Sequence, residues 1–188
     1  MDYRLTGKEH FTLDGKNTEM DIIDFWRWHF CERFDLQEKF AEYIVAKALG
    51  LSKADNVGVW TLFDILYRNT RIEIKETSYM HAWQTDEEKK SDARTFGITK
   101  AYSRYKDKES KYERQNDIYV FCLNTGKTRA ESDPLVLEHW EFYIVPTDII
   151  NEKCGDAKSV NLSRLRKLAE PVGYGDIKSR IDSIIDGK

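Results

Sequence analysis

The sequence predicts an α/β fold in which a central mixed β-sheet is flanked by helices. Two apolar runs predict buried strands, residues 116–123 (NDIYVFCL) and residues 139–146 (HWEFYIVP), the second of which ends at a proline. A third strand, residues 60–67, is followed by the polar residues 68–70 and a further alternating strand, 71–77, which indicates a hairpin. Because helical patterns stand before and after these strands, helices are expected to cover both faces of the sheet.

The N-terminal part of the chain predicts an irregular arm followed by two helices. Residues 1–17 are interpreted as the arm. Thr18 stands three residues before an aspartate in a T-x-x-D pattern that resembles a capping box, so a helix is expected over residues 21–34. The aromatic side chains of that helix are expected to be core residues rather than ligands. A second helix is expected over residues 36–50, which end in a glycine.

The remaining elements follow the hairpin. Residues 93–99 (ARTFGIT) are expected to form another strand. Thr147 and Asn161 are positioned to cap two short helices, because both residue types accept hydrogen bonds from the first turn of a helix. A last helix is expected over residues 175–186, where isoleucines recur on one stripe.

Composition is typical of a globular protein in the cytoplasm. The chain has 188 residues, 40% of them hydrophobic and 34% charged, and no repeat or linker divides it, so a single domain over residues 1–188 is expected. No run reaches the length of a membrane span, and the N-terminus lacks the apolar stretch of a signal peptide, so no membrane partner is expected. Three cysteines without a C-x-x-C pattern indicate free thiols in a reducing compartment.

Charge and histidine spacing narrow the classes of function. The four histidines show no metal-ligand spacing, which argues against a zinc site. The net charge of −3 argues weakly against a protein that coats nucleic acid. It leaves a nuclease open, because metal-binding carboxylates lower the net charge and local patches matter more than the sum.

The hairpin carries the candidate site. Strand alternation places Glu73 and Lys75 on one face, with Ile72 and Ile74 on the other. The turn would bring Asp64 beside Glu73 at one end of the sheet. Asp64 lies inside an apolar run, where a carboxylate without a partner is costly. Two carboxylates and an ammonium suit a divalent metal and a scissile phosphate.

Simpler interpretations remain open for the same residues. Alternating charge is common on the solvated face of an amphipathic strand. In the second helix, Glu42 could pair with Lys39, three residues earlier, or could face the sheet and point at Asp64 and Glu73.

A basic segment with three tyrosines follows residue 99. Its charge excess could follow a phosphate backbone with the tyrosines as stacking platforms, or the segment could be an ordinary exposed surface. The candidate nucleic-acid-binding residues are Lys100, Arg104, Lys106, Lys108, Lys111 and Arg114.

Taken in order, these blocks resemble the PD-(D/E)xK nuclease superfamily, which includes type II restriction endonucleases and Holliday-junction resolvases. More narrowly, they are similar to a group of bacterial restriction-endonuclease-like proteins of unassigned function. The blocks that carry the resemblance are AEYIVAKALG, DILYRNTRIEIKETSYMHAW, NDIYVFCL and WEFYIVPTDII.

The resemblance implies a role for each candidate residue. Asp64 matches the first metal-binding acid, Glu73 the second, and Lys75 the catalytic lysine. Glu42 matches the helix acid that completes or orients the metal shell. The backbone carbonyl of Ile74 would add an oxygen ligand for Mg²⁺, for which Mn²⁺ could substitute.

The resemblance also implies a fold and a substrate. It predicts a restriction-endonuclease-like core over roughly residues 20–155, with C-terminal helices over 156–188. It implies hydrolysis of phosphodiester bonds, in DNA first, with RNA left open, and it allows a homodimer that cuts both strands. The alternative is a catalytically silent nucleic-acid-binding or interaction module with the same fold. Phe63 stands where many members have proline, at a position that varies in the superfamily.

Overall fold

The computed structural model describes residues 5–30, 36–52, 61–80, 93–102 and 111–187. The chain divides into two compact units, Met1–Leu36 and Gln37–Lys188. The expectation of one domain over residues 1–188 stays a prediction.

The first unit begins with a β-hairpin where the sequence predicted an irregular arm. Strands β1 (His10–Leu13) and β2 (Lys16–Asp21) pair antiparallel. Asp14 and Gly15 join them with φ angles of 50° and 74°. Two successive residues with positive φ are typical of a type I′ turn, which favours Asp-Gly. The prediction for residues 1–17 was wrong because this dipeptide was the signal of a hairpin.

Helix α1 (Ile22–His29) follows β2 directly, and its cap differs from the predicted one. Asp21 is the N-cap, and its Oδ1 accepts a hydrogen bond of 2.8 Å from the Asp24 N–H. Thr18 lies in β2, where its hydroxyl donates to the Phe11 carbonyl. The N-cap lies at Asp21 rather than at Thr18, the cap that the T-x-x-D pattern implied, because Thr18 is used by the hairpin.

The described aromatic side chains of α1 and of its C-cap Phe30 are more exposed than predicted for core residues. Phe25 and Phe30 are 41% and 50% exposed, whereas Trp26 is partly buried. A two-stranded hairpin and an eight-residue helix bury too little surface to enclose several aromatic rings.

The second unit contains the sheet and the remaining helices. In chain order its elements are α2 (Gln37–Ala48), β3 (Ile65–Tyr67), β4 (Thr70–Ser78), β5 (Thr95–Gly97), β6 (Ala101–Tyr102), β7 (Tyr112–Glu113), β8 (Ile118–Asn124), β9 (Trp140–Pro146), α3 (Thr147–Cys154), β10 (Ser159–Asn161), α4 (Leu162–Leu165) and α5 (Ile177–Asp186). The predicted hairpin, both apolar strands, the strand within residues 93–99 and the last helix are confirmed.

The central sheet is mixed, as predicted. Its strand order is β3-β4-β8-β9, with β4 parallel to β8 and the two outer pairs antiparallel. Every residue of β8 is buried, as expected for a strand that is covered on both faces. Strands β5 and β10 form a separate antiparallel pair, and β6 pairs with β7.

Helices cover both faces of the sheet. On one face α2 and α5 pack against Ile72 and Ile74 of β4 and against Ile118 and Val120 of β8. On the other face α3, α4 and the β5–β10 pair pack against Phe121 and its neighbours. These two apolar layers make the second unit an α/β sandwich, which confirms the predicted fold class at this level.

Helix ends are only partly as predicted. Gly50 ends α2 with a φ of 75°, and the N–H groups of Gly50 and Leu51 donate to the carbonyls of Lys47 and Ala46. This is the Schellman pattern, which favours glycine. Asn161 caps α4, accepting a hydrogen bond of 2.8 Å from the Arg164 N–H.

Thr147 is not a cap. It is the first residue of α3, and its hydroxyl accepts a hydrogen bond of 3.0 Å from the Asn116 side chain. Pro146 occupies the N-cap position instead. No helix in the described parts of the chain is long and apolar enough to cross a membrane.

Candidate active site

A two-residue turn sets the register of the β3–β4 hairpin. Arg68 and Asn69 have φ angles of 49° and 61°, so both lie in the left-handed region that a type I′ turn requires. Asparagine accepts this conformation more readily than most residues. The turn pairs Ile65 with Ile72, and a slip of one residue would move the buried side chains of β4 to the other face.

Backbone contact continues one residue beyond β3 and holds Asp64 against β4 near Glu73. The Asp64 N–H donates to the Ile72 carbonyl at 3.0 Å. Asp64 Oδ2 then accepts a hydrogen bond of 2.7 Å from the Ile74 N–H. The carboxylate of Asp64 is therefore fixed to the backbone of β4 beside Glu73.

Glu73 and Lys75 lie on the same face of β4, as predicted from strand alternation. Lys75 Nζ is 2.5 Å from Glu73 Oε1, and both side chains are partly buried. They line a cavity of about 300 Å³ together with polar side chains that include Asn116 and Tyr119. A polar ligand in this cavity would meet a carboxylate and an ammonium at the edge of the sheet.

Burial makes the two facing carboxylates expensive to ionise. Burial raises the pKa of Asp64, and the Ile74 N–H and the charge of Lys75 offset it only in part. Burial also raises the pKa of Glu73, and the negative charge of Asp64 raises it further. The ionised forms of both carboxyl groups are therefore less favourable here than in water.

Burial acts on the pKa of Lys75 in the opposite direction, but the neighbouring charge of Glu73 decides the result. Burial alone would lower the pKa of its ammonium group, but the charge of Glu73 and the hydrogen bond to Glu73 outweigh it, so the pKa of Lys75 is raised. The lysine is accordingly an ammonium at neutral pH, a donor and a positive charge rather than a base.

Both interpretations of Glu42 hold in part. Its Oε1 is 2.7 Å from Lys39 Nζ, which is the local pair expected within a helix. Burial raises the pKa of Glu42, and the charge of Asp64 raises it further although Lys39 lowers it. Glu42 also raises the pKa of Glu73, so it lies within electrostatic reach of the facing carboxylates.

Two acids near the site were not identified from the sequence. The charge of Glu38, in the first turn of α2, reaches Asp64 and Lys75. Glu76 follows Lys75 on the opposite face of β4, and burial raises its pKa to about 7. Its Oε1 is buried and has no hydrogen-bond partner among the described residues. Helical spacing links Glu38 with Glu42, but only the packing of α2 on β4 shows that either is near the hairpin.

The oxygen atoms that could hold a metal come from three residues. Among the described residues, no group of three or more His, Cys, Asp or Glu side chains could hold a metal ion, so Glu42 does not join Asp64 and Glu73 in such a group. β3 begins opposite Ile72, so it does not cover the edge of β4 at Ile74. The Ile74 carbonyl lies on the same edge as its N–H, and it is the third oxygen candidate.

The three described residues of the predicted basic segment differ in their surroundings. Lys100 pairs with Asp156 at 2.6 Å, and Lys111 is exposed. Arg104, Lys106 and Lys108 lie outside the described residues.

Arg114 differs from its predicted role in a phosphate-binding loop. It is only 6% exposed. Its guanidinium donates to the carbonyls of Ile98, Gly155 and Ala157 and to the side chain of Asn151, over 2.7–3.1 Å. These acceptors lie around the C-terminal end of α3, where a cation is favourable. Arg114 thus uses its donors within the fold, which composition could not show, and its role in binding nucleic acid stays a prediction.

No protein-family model matches this chain, and no curated protein is significantly similar to it.

Proposed function

We propose that this protein is a Mg²⁺-dependent nuclease that hydrolyses phosphodiester bonds, with DNA as the expected substrate and a restriction-endonuclease-like core as its scaffold. The observation that carries the proposal is that Asp64 is held by the N–H of Ile74, which lies between Glu73 and Lys75 in sequence, with Lys75 paired to Glu73 at the wall of a cavity. These are the residue types, in the order and on the strands, that the superfamily resemblance assigns to catalysis.

The chemistry of the donor set fits a hard divalent cation. Asp64, Glu73 and the Ile74 carbonyl offer oxygen ligands, the type that Mg²⁺ and Mn²⁺ prefer. Burial raises the pKa of both carboxyl groups, the charge of Asp64 raises that of Glu73 further, and a cation bound by them would relieve that cost. When bound, the ion would polarise the phosphodiester and lower the pKa of a bound water.

The residues of the chain would divide the remaining work. The Ile74 N–H holds one oxygen of Asp64, so the carboxylate enters the site in a fixed orientation. The Lys75 ammonium would bind a phosphate oxygen and stabilise the negative charge that develops in the transition state. The raised pKa of Lys75 supports this role over that of a general base. Glu42 and its partner Lys39, both on α2, would influence the electrostatic potential at Asp64 and Glu73.

One observation favours the second candidate, a catalytically silent nucleic-acid-binding or interaction module. In the part of the chain that the structure describes, no three acidic or other metal-ligating side chains form a metal-binding group. A two-carboxylate site relies on backbone and water for the rest of its shell, as Mg²⁺ sites often do. The test must therefore measure metal binding separately from cleavage.

The deciding experiment compares wild type, Asp64→Asn and Asp148→Asn on DNA and RNA substrates with Mg²⁺, Mn²⁺ or EDTA. Asp148 is an exposed aspartate in the first turn of α3 and is the matched control. We expect metal-dependent cleavage by wild type and by the control, and a loss of roughly a hundredfold or more in Asp64→Asn. Mg²⁺ should also raise the melting temperature of wild type but not of Asp64→Asn.

Cleavage that persists in EDTA, or that survives in Asp64→Asn, would contradict the proposal. Nucleic-acid binding without cleavage under any metal would instead support the silent module. Gel filtration of the same preparations tests the homodimer that cutting both strands would use.

A further inference from the structure

A second cavity lies in the same unit, away from the candidate active site. Its volume is about 540 Å³, and none of its lining residues lines the cavity of Glu73 and Lys75. Its wall is formed where β4 and β8 end and where β5 and α4 begin. We call it the Arg94 pocket, and its charged and polar lining includes Tyr79, Arg94, Lys127, Glu141, Ser163 and Arg166.

The Arg94 pocket is cationic. Three of its lining residues, Arg94, Lys127 and Arg166, are positive, and Glu141 is the negative one, so the formal charge of the lining is +2. Glu141 neutralises Arg166 only in part, because Arg166 Nη2 is 3.7 Å from Glu141 Oε2 and Glu141 also accepts a hydrogen bond from a tyrosine hydroxyl. The net positive charge of these lining side chains would attract an anionic ligand.

Arg94 gives the pocket a buried donor. The side chain is 9% exposed, and its guanidinium lies 5.0 Å from the ring centre of Tyr79. Two of its nitrogens donate to the carbonyls of Ala93 and Tyr79, each at 2.9 Å. The third, Nε, is buried and has no hydrogen-bond partner within the described ranges. A buried N–H without an acceptor is costly, so an acceptor from a ligand would stabilise this arginine.

We propose that the Arg94 pocket binds a phosphomonoester group, carried either by a free nucleoside 5′-monophosphate or by the 5′ end of a nucleic acid strand. A phosphomonoester is close to dianionic at neutral pH, which matches the lining charge of +2. Its oxygens suit arginine and lysine donors together with hydroxyls such as that of Ser163. A volume of about 540 Å³ exceeds one phosphate and accommodates the nucleoside that carries it.

The proposal stands apart from the nuclease proposal, and its test is made in EDTA, where metal-dependent cleavage cannot occur. Wild-type protein is titrated by calorimetry with nucleoside 5′-monophosphates, with the same nucleosides without phosphate, and with short single strands that carry a 5′-phosphate or a 5′-hydroxyl. We expect the phosphorylated member of at least one pair to bind and its unphosphorylated partner to bind at least about tenfold more weakly.

The two pairs identify the source. Discrimination only among mononucleotides indicates a free nucleotide, and discrimination among strands indicates a nucleic acid end. Equal binding of 5′-phosphate and 5′-hydroxyl strands, with no discrimination among mononucleotides, would overturn the proposal, and so would no binding of any ligand.

Variants place the binding in this pocket. Lys127→Gln removes an exposed cation of the lining, and Lys153→Gln removes an exposed cation on α3 as a matched control. We expect Lys127→Gln to weaken phosphate-dependent binding about tenfold and Lys153→Gln to leave it unchanged. Arg94→Gln should weaken it further, with circular dichroism to verify the fold. Wild-type affinity in Lys127→Gln and in a folded Arg94→Gln would refute the assignment.

Discussion

The buried charge of Arg114 and the buried carboxyl groups of Asp64 and Glu73 differ in how well the protein stabilises them. Arg114 is surrounded by carbonyl and amide oxygens that accept its N–H groups, so its charge is used within the fold. Burial raises the pKa of both Asp64 and Glu73, and the charge of Asp64 raises the pKa of Glu73 further. A buried charge with all its partners present stabilises a structure, whereas a buried charge in excess is available to a ligand.

The largest expected effect is on the cleavage rate of Lys75→Ala, and it distinguishes a role in catalysis from a role in binding. If the protein is a nuclease, Lys75→Ala should slow cleavage by roughly a hundredfold or more, because the ammonium acts on the phosphate in the transition state. Affinity for DNA comes from many phosphate contacts, so the salt slope of binding should change by only about one unit. Cleavage rates and salt-dependent binding are measured on the same preparations of wild type and Lys75→Ala.

Equal proportional losses of affinity and cleavage in Lys75→Ala would refute the catalytic role. Lys153→Gln, which removes an exposed lysine on α3, serves as the control for a change in net charge alone.

At Arg114, where the buried charge has its partners within the fold, substitution by alanine should be strongly destabilising. It leaves buried carbonyls at the end of α3 without donors, and we expect a loss of roughly 3 kcal/mol in the free energy of unfolding. Lys111→Ala, three residues earlier and exposed, should change it by less than about 0.5 kcal/mol. Urea denaturation of both variants measures the difference. A small change in the free energy of unfolding together with a clear loss of DNA affinity in Arg114→Ala would instead indicate that Arg114 binds DNA.

Glu76 is a buried acid without an assigned role, and its Oε1 has no hydrogen-bond partner among the described residues. Its pKa is raised to about 7 by burial first and by the charge of Glu38 second. The folded state therefore holds its proton at higher pH than the unfolded state, so stability falls as pH rises from about 4.3 to about 7. Glu76→Gln should remove this loss and be more stable than wild type by about 2 kcal/mol at pH 8.

The check for Glu76 is urea denaturation at pH 5 and at pH 8. Wild type should lose stability between these values relative to Glu76→Gln, and the exposed control Glu170→Gln should behave like wild type. A Glu76→Gln protein that is less stable than wild type at pH 8 would indicate that the carboxylate has a stabilising partner.

The smallest effect is expected at a surface ion pair. Lys178 first and Arg68 second hold the pKa of Asp182 below its ordinary value through hydrogen bonds. A lowered pKa contributes stability above the unfolded value of about 3.9, and this stability is lost as pH falls through the folded value. Asp182→Asn should cost less than about 1 kcal/mol at pH 7 and lose less stability than wild type on acidification. Thermal melts at pH 7 and pH 3 compare the two.

Sequence patterns sufficed where an element has its own periodicity. The hairpin of Asp64 and Glu73 and the buried strand β8 follow from alternation and from a continuous apolar run. The first hairpin was missed because its strands are short and exposed, and only Asp14 and Gly15 mark it. An exposed strand has no apolar face for a pattern to reveal.

The candidate site shows the same division. Glu73 and Lys75 share a face by local geometry, and Asp64 follows from the turn. The proximity of Glu38 to this site depends on how α2 packs on β4, which no spacing within α2 contains. The burial of Arg114 likewise depends on α3, which follows it in the chain. Tertiary packing determines the position of Glu38 and the burial of Arg114, and the local sequence pattern contains no signal for either.

The parallel pairing of β4 with β8 has a consequence for how the site forms. Arg71 and Asp117, 46 residues apart, are joined by an ion pair of 2.8 Å at the start of this pairing. The β3–β4 hairpin can form between residues that are close in sequence. Strand β8 must pair with β4 across the stretch of chain between Arg71 and Asp117, and such long-range pairing is slower than hairpin formation. We therefore expect Asp64 and Glu73 to meet early in folding, while Tyr119 and Asn116 complete the cavity in the rate-limiting step. Refolding followed by a probe in β8 should then be slower than refolding followed by a probe in the hairpin.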